Sequence, residues 1–201
     1  MIPMARTTWI AIAALLALPG CVSLGGKAPP QLLSLDAAQK VAPGTERKGG
    51  QGATLIVADP EAPRVLDTVR VPVKISATGI AYVKDAQWAD TPRHLFQKLL
   101  SETIAATSDR LVLDPGQYSA APGQRLSGEL MAFGIDAGSR RAIVTFDAML
   151  SGQGGSVVAR RRFTASAPVA AVDAASIGGP LNDAANKVAA DVAAWVATQG
   201  G

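Results

Sequence analysis

Three observations predict an α+β fold. Between residues 124 and 167 the chain alternates apolar and polar residues in three runs joined by short, glycine-containing loops, the pattern of an antiparallel meander. Two other stretches, 89–107 and 180–201, repeat apolar residues every three or four positions, the period of an amphipathic helix. Short strand-like runs precede the first of these. Two helices packed on one face of a mainly antiparallel mixed sheet bury both helical stripes at once. The 201 residues suffice for one domain with a real core, placed at 31–201.

Residues 1–20 read as a signal peptide. Arg6 supplies the positive start, and "WIAIAALLAL" (9–18) is the apolar centre. Ten residues at 1.5 Å each cannot span a hydrocarbon core of ~30 Å. "LPGC" then resembles the bacterial lipobox, with Gly20 before the cut and Cys21 after it. Pro19 stands in a slot more often held by Ala, Ser or Thr. The thiol of Cys21 would carry a thioether-linked diacylglycerol. An unpaired cysteine left free in an exported protein is open to oxidation and mispairing, which favours lipidation. Several acyl chains at ~0.8 kcal/mol per buried CH₂ exceed what stable anchoring needs. Val22 follows the cysteine, and the sorting rule of enterobacterial lipoproteins, which retains Asp at that position in the inner membrane, then points to the outer membrane. "VSLGGKAPP" extends a flexible lipid tether over 21–30.

"QLLSL" (31–35) is expected as a first short strand and "VAPGTERKGGQG" (41–52) as a polar loop. "ATLIVAD" (53–59) reads as a buried strand, broken by "PEAP" (60–63). In 64–76, Val69, Val71, Val73 and Ile75 alternate with Thr68, Arg70 and Lys74, and Pro72 makes this an edge strand or a bulged one. In the helix 89–107, Thr91 is expected as N-cap and Pro92 as the first helical residue, with Leu95, Phe96, Leu99, Leu100 and Ile104 as one stripe. Lys98 and Glu102 sit four apart on its wet face. The meander runs 124–136, 140–150 and 156–167, with Ala142, Val144, Phe146, Ala148 and Leu150 sharing a face opposite Thr145 and Asp147. Leu181, Ala185, Val188, Val192, Trp195 and Val196 form the stripe of the last helix, and Gly200 is placed to close it.

Composition narrows the function. Aromatic residues are 4% and the net charge is +3 with no basic block, which argues against a reader of nucleic acid. One cysteine and one histidine exclude an internal disulfide, a cysteine-based zinc site and a histidine cluster. Any Ser/His/Asp or Cys/His chemistry would run through His94, which reads as a solvated helix residue. No general acid/base pair of carboxylates stands out, and no metal or other cofactor is expected beyond the lipid on Cys21. The chain is expected not to be an enzyme.

"GIAYVKDAQWADTPRHLFQKLL" (79–100) carries a Tyr-x5-Trp-x3-Pro run into a Leu-rich helix. With the lipobox, "LLSL", "RVLDTVRVPV", "RRFTASAPV" and a final "AAWV" in this order, it resembles the ABC-type transport auxiliary lipoprotein family, whose best-known branch is paraquat-inducible protein C. The resemblance implies an outer-membrane-anchored periplasmic component. Its partners would be an MCE-domain protein and the associated ABC permease and ATPase, moving phospholipid or other hydrophobic molecules between the two membranes. It also implies assembly into homo-oligomeric rings. The chain lacks Gly-x4-Gly-Lys-Ser/Thr and so is not the ATPase. The alternative is an outer-membrane biogenesis lipoprotein of lipopolysaccharide-assembly or chaperone type.

The motif residues Tyr82, Trp88, Pro92, Leu95 and Leu99, with Trp195 in the last helix, are expected to pack rather than to bind lipid. In "ARRRF" (159–163), Arg160 and Arg162 face one way on a strand and Arg161 the other. The pair reads either as an edge guard against aggregation or as a contact for a partner, a second copy or anionic head groups.

Overall fold

A computed structural model describes residues 31–48, 53–116, 123–152 and 156–199. The expected signal peptide (1–20), the lipobox-like run with Gly20 and Cys21, the expected tether (21–30) and Gly200 lie outside the described residues.

The meander forms as the alternation predicts. Strands β5 (Gln124–Asp136), β6 (Arg141–Ser151) and β7 (Val157–Pro168) pair antiparallel. The inward row of β6, from Ala142 to Leu150, is wholly buried. On β5 the phase changes midway. Leu126 and Leu130 face the core, the register slips between Leu130 and Ala132, and Phe133 and Ile135 take over inside. This bulge turns Met131 outward. Gly128 has φ +153°, and a methyl group there would collide with the Asp147 carbonyl oxygen on β6. Only glycine lets the two backbones meet at that point.

The other edge of β5 is shared. Strand β1 (Thr54–Val57) pairs parallel with its start, Val57 against Leu126. The chain then follows β5 through Glu61, whose N–H donates to the Gly128 oxygen and whose carbonyl accepts from Leu130 N–H. Strand β2 (Arg70–Lys74) pairs parallel with the far end, Val73 against Ile135 and Lys74 against Asp136. Outside these lie β4 (Leu111–Leu113), parallel to β1, and β3 (Ile80–Gln87), antiparallel to β2. The result is a seven-stranded mixed sheet.

Strand β2 therefore lies between β3 and β5 and is not an edge strand. Of the two expectations for Pro72, the bulge holds. Arg70 pairs with Gln87 but Pro72 with Tyr82, so residues 83–86 loop out, with Asp85 at φ +57°. The missing N–H of Pro72 falls where the ladder is already broken. The expected strand at 31–35 is reduced to one bridge, Leu33 against Trp88. Beyond it the amides of Asp36 and Ala38 donate instead to the Asn182 and Asn186 side chains of the last helix (2.8 and 2.7 Å), so no ladder can continue.

Helix α1 (Pro92–Thr107) and helix α2 (Gly178–Thr198) pack side by side on one face of the sheet, α2 over β6 and β7 and α1 against β1 and β4. Both predicted stripes are buried. Thr91 does occupy the N-cap, but its side chain makes no capping bond. Asp90 Oδ1 takes the Thr91 N–H at 2.7 Å instead. Lys98 and Glu102 do not pair with each other. Lys98 reaches Asp90 (3.6 Å) and Glu102 accepts the Val41 N–H (2.7 Å), consistent with the weaker order of lysine before glutamate.

Candidate functional site

The motif residues are spread through the interior. Trp88 is buried and meets Phe133 edge-on at 5.3 Å, which in turn meets Phe96, which meets Phe146. Leu95, Leu99 and Pro92 are buried on the inner face of α1. Trp195 is buried on α2 against Phe163, 5.6 Å away. Tyr82 lies half-buried on β3 beneath the Arg70 guanidinium, 3.8 Å from its ring centre. These side chains do not converge on one place. Trp88, Leu95, Leu99 and Trp195 share the core cluster.

Two polar clusters do form. The first is on the sheet face that the helices leave open. The β6–β7 register sets Asp147 opposite Arg162. Arg162 Nε and one terminal nitrogen grip its carboxylate at 2.6 and 2.5 Å, and Arg160 adds a third bond at 3.2 Å. Asp147 is 5% exposed although it sits on the outward face, because these two side chains cover it. The fork-shaped hydrogen bonds from Arg162 hold its carboxyl below the ordinary value of 3.8 and raise the guanidinium in turn. Arg161 points the other way, over the Phe163 ring. Asp147 was visible in the sequence only as a polar residue opposite the core row. Its pairing needs the hairpin register as well.

The second cluster lies where β1 and β4 end and α1 begins. His94 Nε2 is 3.1 Å from Asp59 and Nδ1 is 3.2 Å from Asp90. Gln97 bridges to the Val57 carbonyl and to Asp114, both at 3.1 Å, and with Lys98 these groups line a cleft of about 320 Å³. The arrangement makes His94 a tie between α1 and the segment after β1. The Thr91 N–H, followed by the His94 bond, holds the Asp90 carboxyl low. Among the described residues, no group of three or more His, Cys, Asp and Glu side chains is placed to hold a metal ion, and no helix is long and apolar enough to cross a membrane.

The open face also carries an apolar groove of about 390 Å³. Its lining includes Leu66, Pro72, Ile80, Met131, Phe133 and Ile143, with Lys74 and Asp136 at one end. Gly134 forms part of it. A side chain there would lie 2.5 Å from the Pro72 carbonyl oxygen, so glycine lets β2 come down onto β5. Neither the groove nor Met131 and Ile80 stood out in the sequence, because the lining is gathered from residues between 65 and 80, from 131–136 and from 143.

Three comparisons with known proteins complete the picture. Residues 33–193 match the profile of a family described as the ABC-type transport auxiliary lipoprotein component. Among solved structures, the fold is similar to a protein from Xanthomonas campestris at a TM-score of 0.71, 20% identical, covering 85% of this chain and 96% of that one. It is also similar to an uncharacterised protein at a TM-score of 0.63, 12% identical, covering 83% and 99%. No curated protein matches the chain.

Proposed function

The chain belongs to the ABC-type transport auxiliary lipoprotein family, and from that premise we propose that it is the outer-membrane-anchored periplasmic subunit of an MCE-linked ABC system. In this reading it is a non-enzymatic docking subunit. The permease and ATPase do the energised work, and the MCE protein bridges towards the outer membrane, where this chain holds the far end. The family match across 33–193 carries the reading. Two sequence features support it: the lipobox ending at Cys21 lies just upstream of the matched region, and Val22 is compatible with sorting outward. The open sheet face, with its groove and its paired arginines, gives such a subunit a surface that the helices do not cover.

Genetics tests the shared pathway. Deletion of this gene and deletion of the MCE gene are each expected to give the same defect in membrane lipid distribution, with the double deletion no worse than either. Additive defects would place this chain in a different system. Chemistry tests the anchor. Cys21→Ser is expected to abolish incorporation of labelled palmitate and to move the protein from the membrane to the soluble periplasmic fraction. Unchanged membrane association would contradict lipidation at this site.

A further inference from the structure

We propose that the outer edge of β7 takes up an extended segment of another protein that carries two adjacent carboxylates. Among the described residues, three strands pair on one side only: β3, β4 and β7. The first two edges are blunted. Strand β4 has three residues, and β3 loops out at 83–86 and has Leu33 bonded across its end, N–H to the Gln87 carbonyl at 2.8 Å. Strand β7 runs for twelve residues, and α2 lies over its face, not along its edge. In an antiparallel ladder every second residue turns its N–H and C=O away from the partner strand. Among the described residues, no backbone group outside β6 bonds to 157–168. A long edge of unpaired main-chain groups is what an added strand pairs with.

Charge selects the occupant. The strand carries Arg160, Arg161 and Arg162 and no carboxylate. Asp147 and Glu129 lie one and two strands inward, so the outermost groups are cationic. A guanidinium has five N–H donors. Arg162 gives two of them to Asp147 and acts as its main partner. Arg160 gives only one, at 3.2 Å, and its side chain is 67% exposed. Arg161 is exposed, pairs with no carboxylate among the described residues, and lies 5.1 Å from the Phe163 ring centre. As neighbours on a strand, Arg160 and Arg161 point to opposite faces of the sheet. The side chains of an added strand alternate in the same way, so two consecutive carboxylates reach both guanidiniums at once. A second copy is a poorer occupant. This chain has no two consecutive Asp or Glu residues. Pairing two β7 strands antiparallel over their full length also sets Arg162 opposite Phe163, which brings both arginine runs together. The charges that repel a second β7 admit a strand of opposite sign.

The test uses the full, lipidated chain in neutral detergent micelles. The probe is a synthetic peptide of alternating valine and threonine with aspartate-glutamate at its centre. Adding it is expected to slow amide exchange within 157–168 and to leave β3 and β4 unchanged. The same peptide with asparagine-glutamine at its centre is expected to bind about tenfold more weakly. A version methylated on every peptide nitrogen is expected not to bind, because it cannot form the ladder. Arg160→Glu combined with Arg161→Glu is expected to lose the acidic peptide and to gain one with lysine-lysine at its centre, a reversal that a folding defect cannot produce. Equal binding of the acidic and amide peptides, failure of the reversal, or unchanged exchange within 157–168 would overturn the proposal. So would slowed exchange there without peptide that rises with protein concentration, which would mark a second copy. Slowed exchange with phosphatidylglycerol vesicles in place of the peptide would likewise overturn it, in favour of a membrane surface. None of these arguments uses the transport reading, and capture of an MCE protein is a separate measurement, so the two ideas fail separately.

Discussion

Among the described residues, Asp147 is the only buried carboxylate, and its burial is a product of its own partners. Arg160 and Arg162 remain mostly exposed (side chains 67% and 59%) while they cover it, so the two cations stay in water and only the carboxylate between them is withdrawn from it. Hydrogen bonds hold three carboxyls below the ordinary 3.8: Arg162 acts on Asp147, Ser139 on Asp136 and the Thr91 N–H on Asp90. A carboxyl lowered in the folded chain contributes stability that is complete above the unfolded value and lost as pH falls through the folded one. The urea midpoint is therefore expected to hold steady down to about pH 4 and then to drop, and Asp147→Asn is expected to make that drop shallower. An acid profile identical to that of the parent would show that the cluster contributes nothing. Arg162→Gln is expected to lower the urea midpoint at neutral pH while leaving complex formation intact. Loss of the complex at unchanged stability would instead make the arginine pair a partner contact.

At the scale of elements, the rows that form the core were legible wherever one period ran uninterrupted. The stripes of α1 and α2 and the inward row of β6 are cases of that kind. Strands β3 and β4 were not anticipated, and both are legible only in context. Strand β3 loops out around Asp85 and so breaks its own alternation. Strand β4 has three residues, too few to show a period. The segment 31–35 misled in the opposite direction: its composition suits a strand, but it forms one bridge only, and just beyond it Asn182 and Asn186 take the hydrogen bonds of Asp36 and Ala38. Asn186→Ala removes the acceptor of the Ala38 amide and the donor to the Asp36 carbonyl, and is expected to cost about 1 kcal/mol with faster exchange at the Ala38 amide. Gly128→Ala forces β5 away from β6 and is expected to cost about 3 kcal/mol, read as a lower urea midpoint. Trp88→Ala empties the site against Phe133 and is expected to cost about 3–5 kcal/mol. Near-parent stability in either variant would contradict the packing described.

At the scale of the whole molecule, the helices cover one face of the sheet and leave the other to carry the groove and the Asp147 cluster. The family order was readable along the chain, since the lipobox-like start, the Tyr-x5-Trp-x3-Pro run and the final helix are all local patterns. The groove was not, because topology alone gathers residues 65–80, 131–136 and 143. The central claim is membership of an MCE-linked transport assembly, and affinity capture of the full, lipidated chain from its own membranes tests it most directly. The account predicts recovery of an MCE-domain protein together with an ABC permease and ATPase. Recovery of an outer-membrane β-barrel assembly partner in their place, or of no MCE protein under conditions that preserve such complexes, would contradict it.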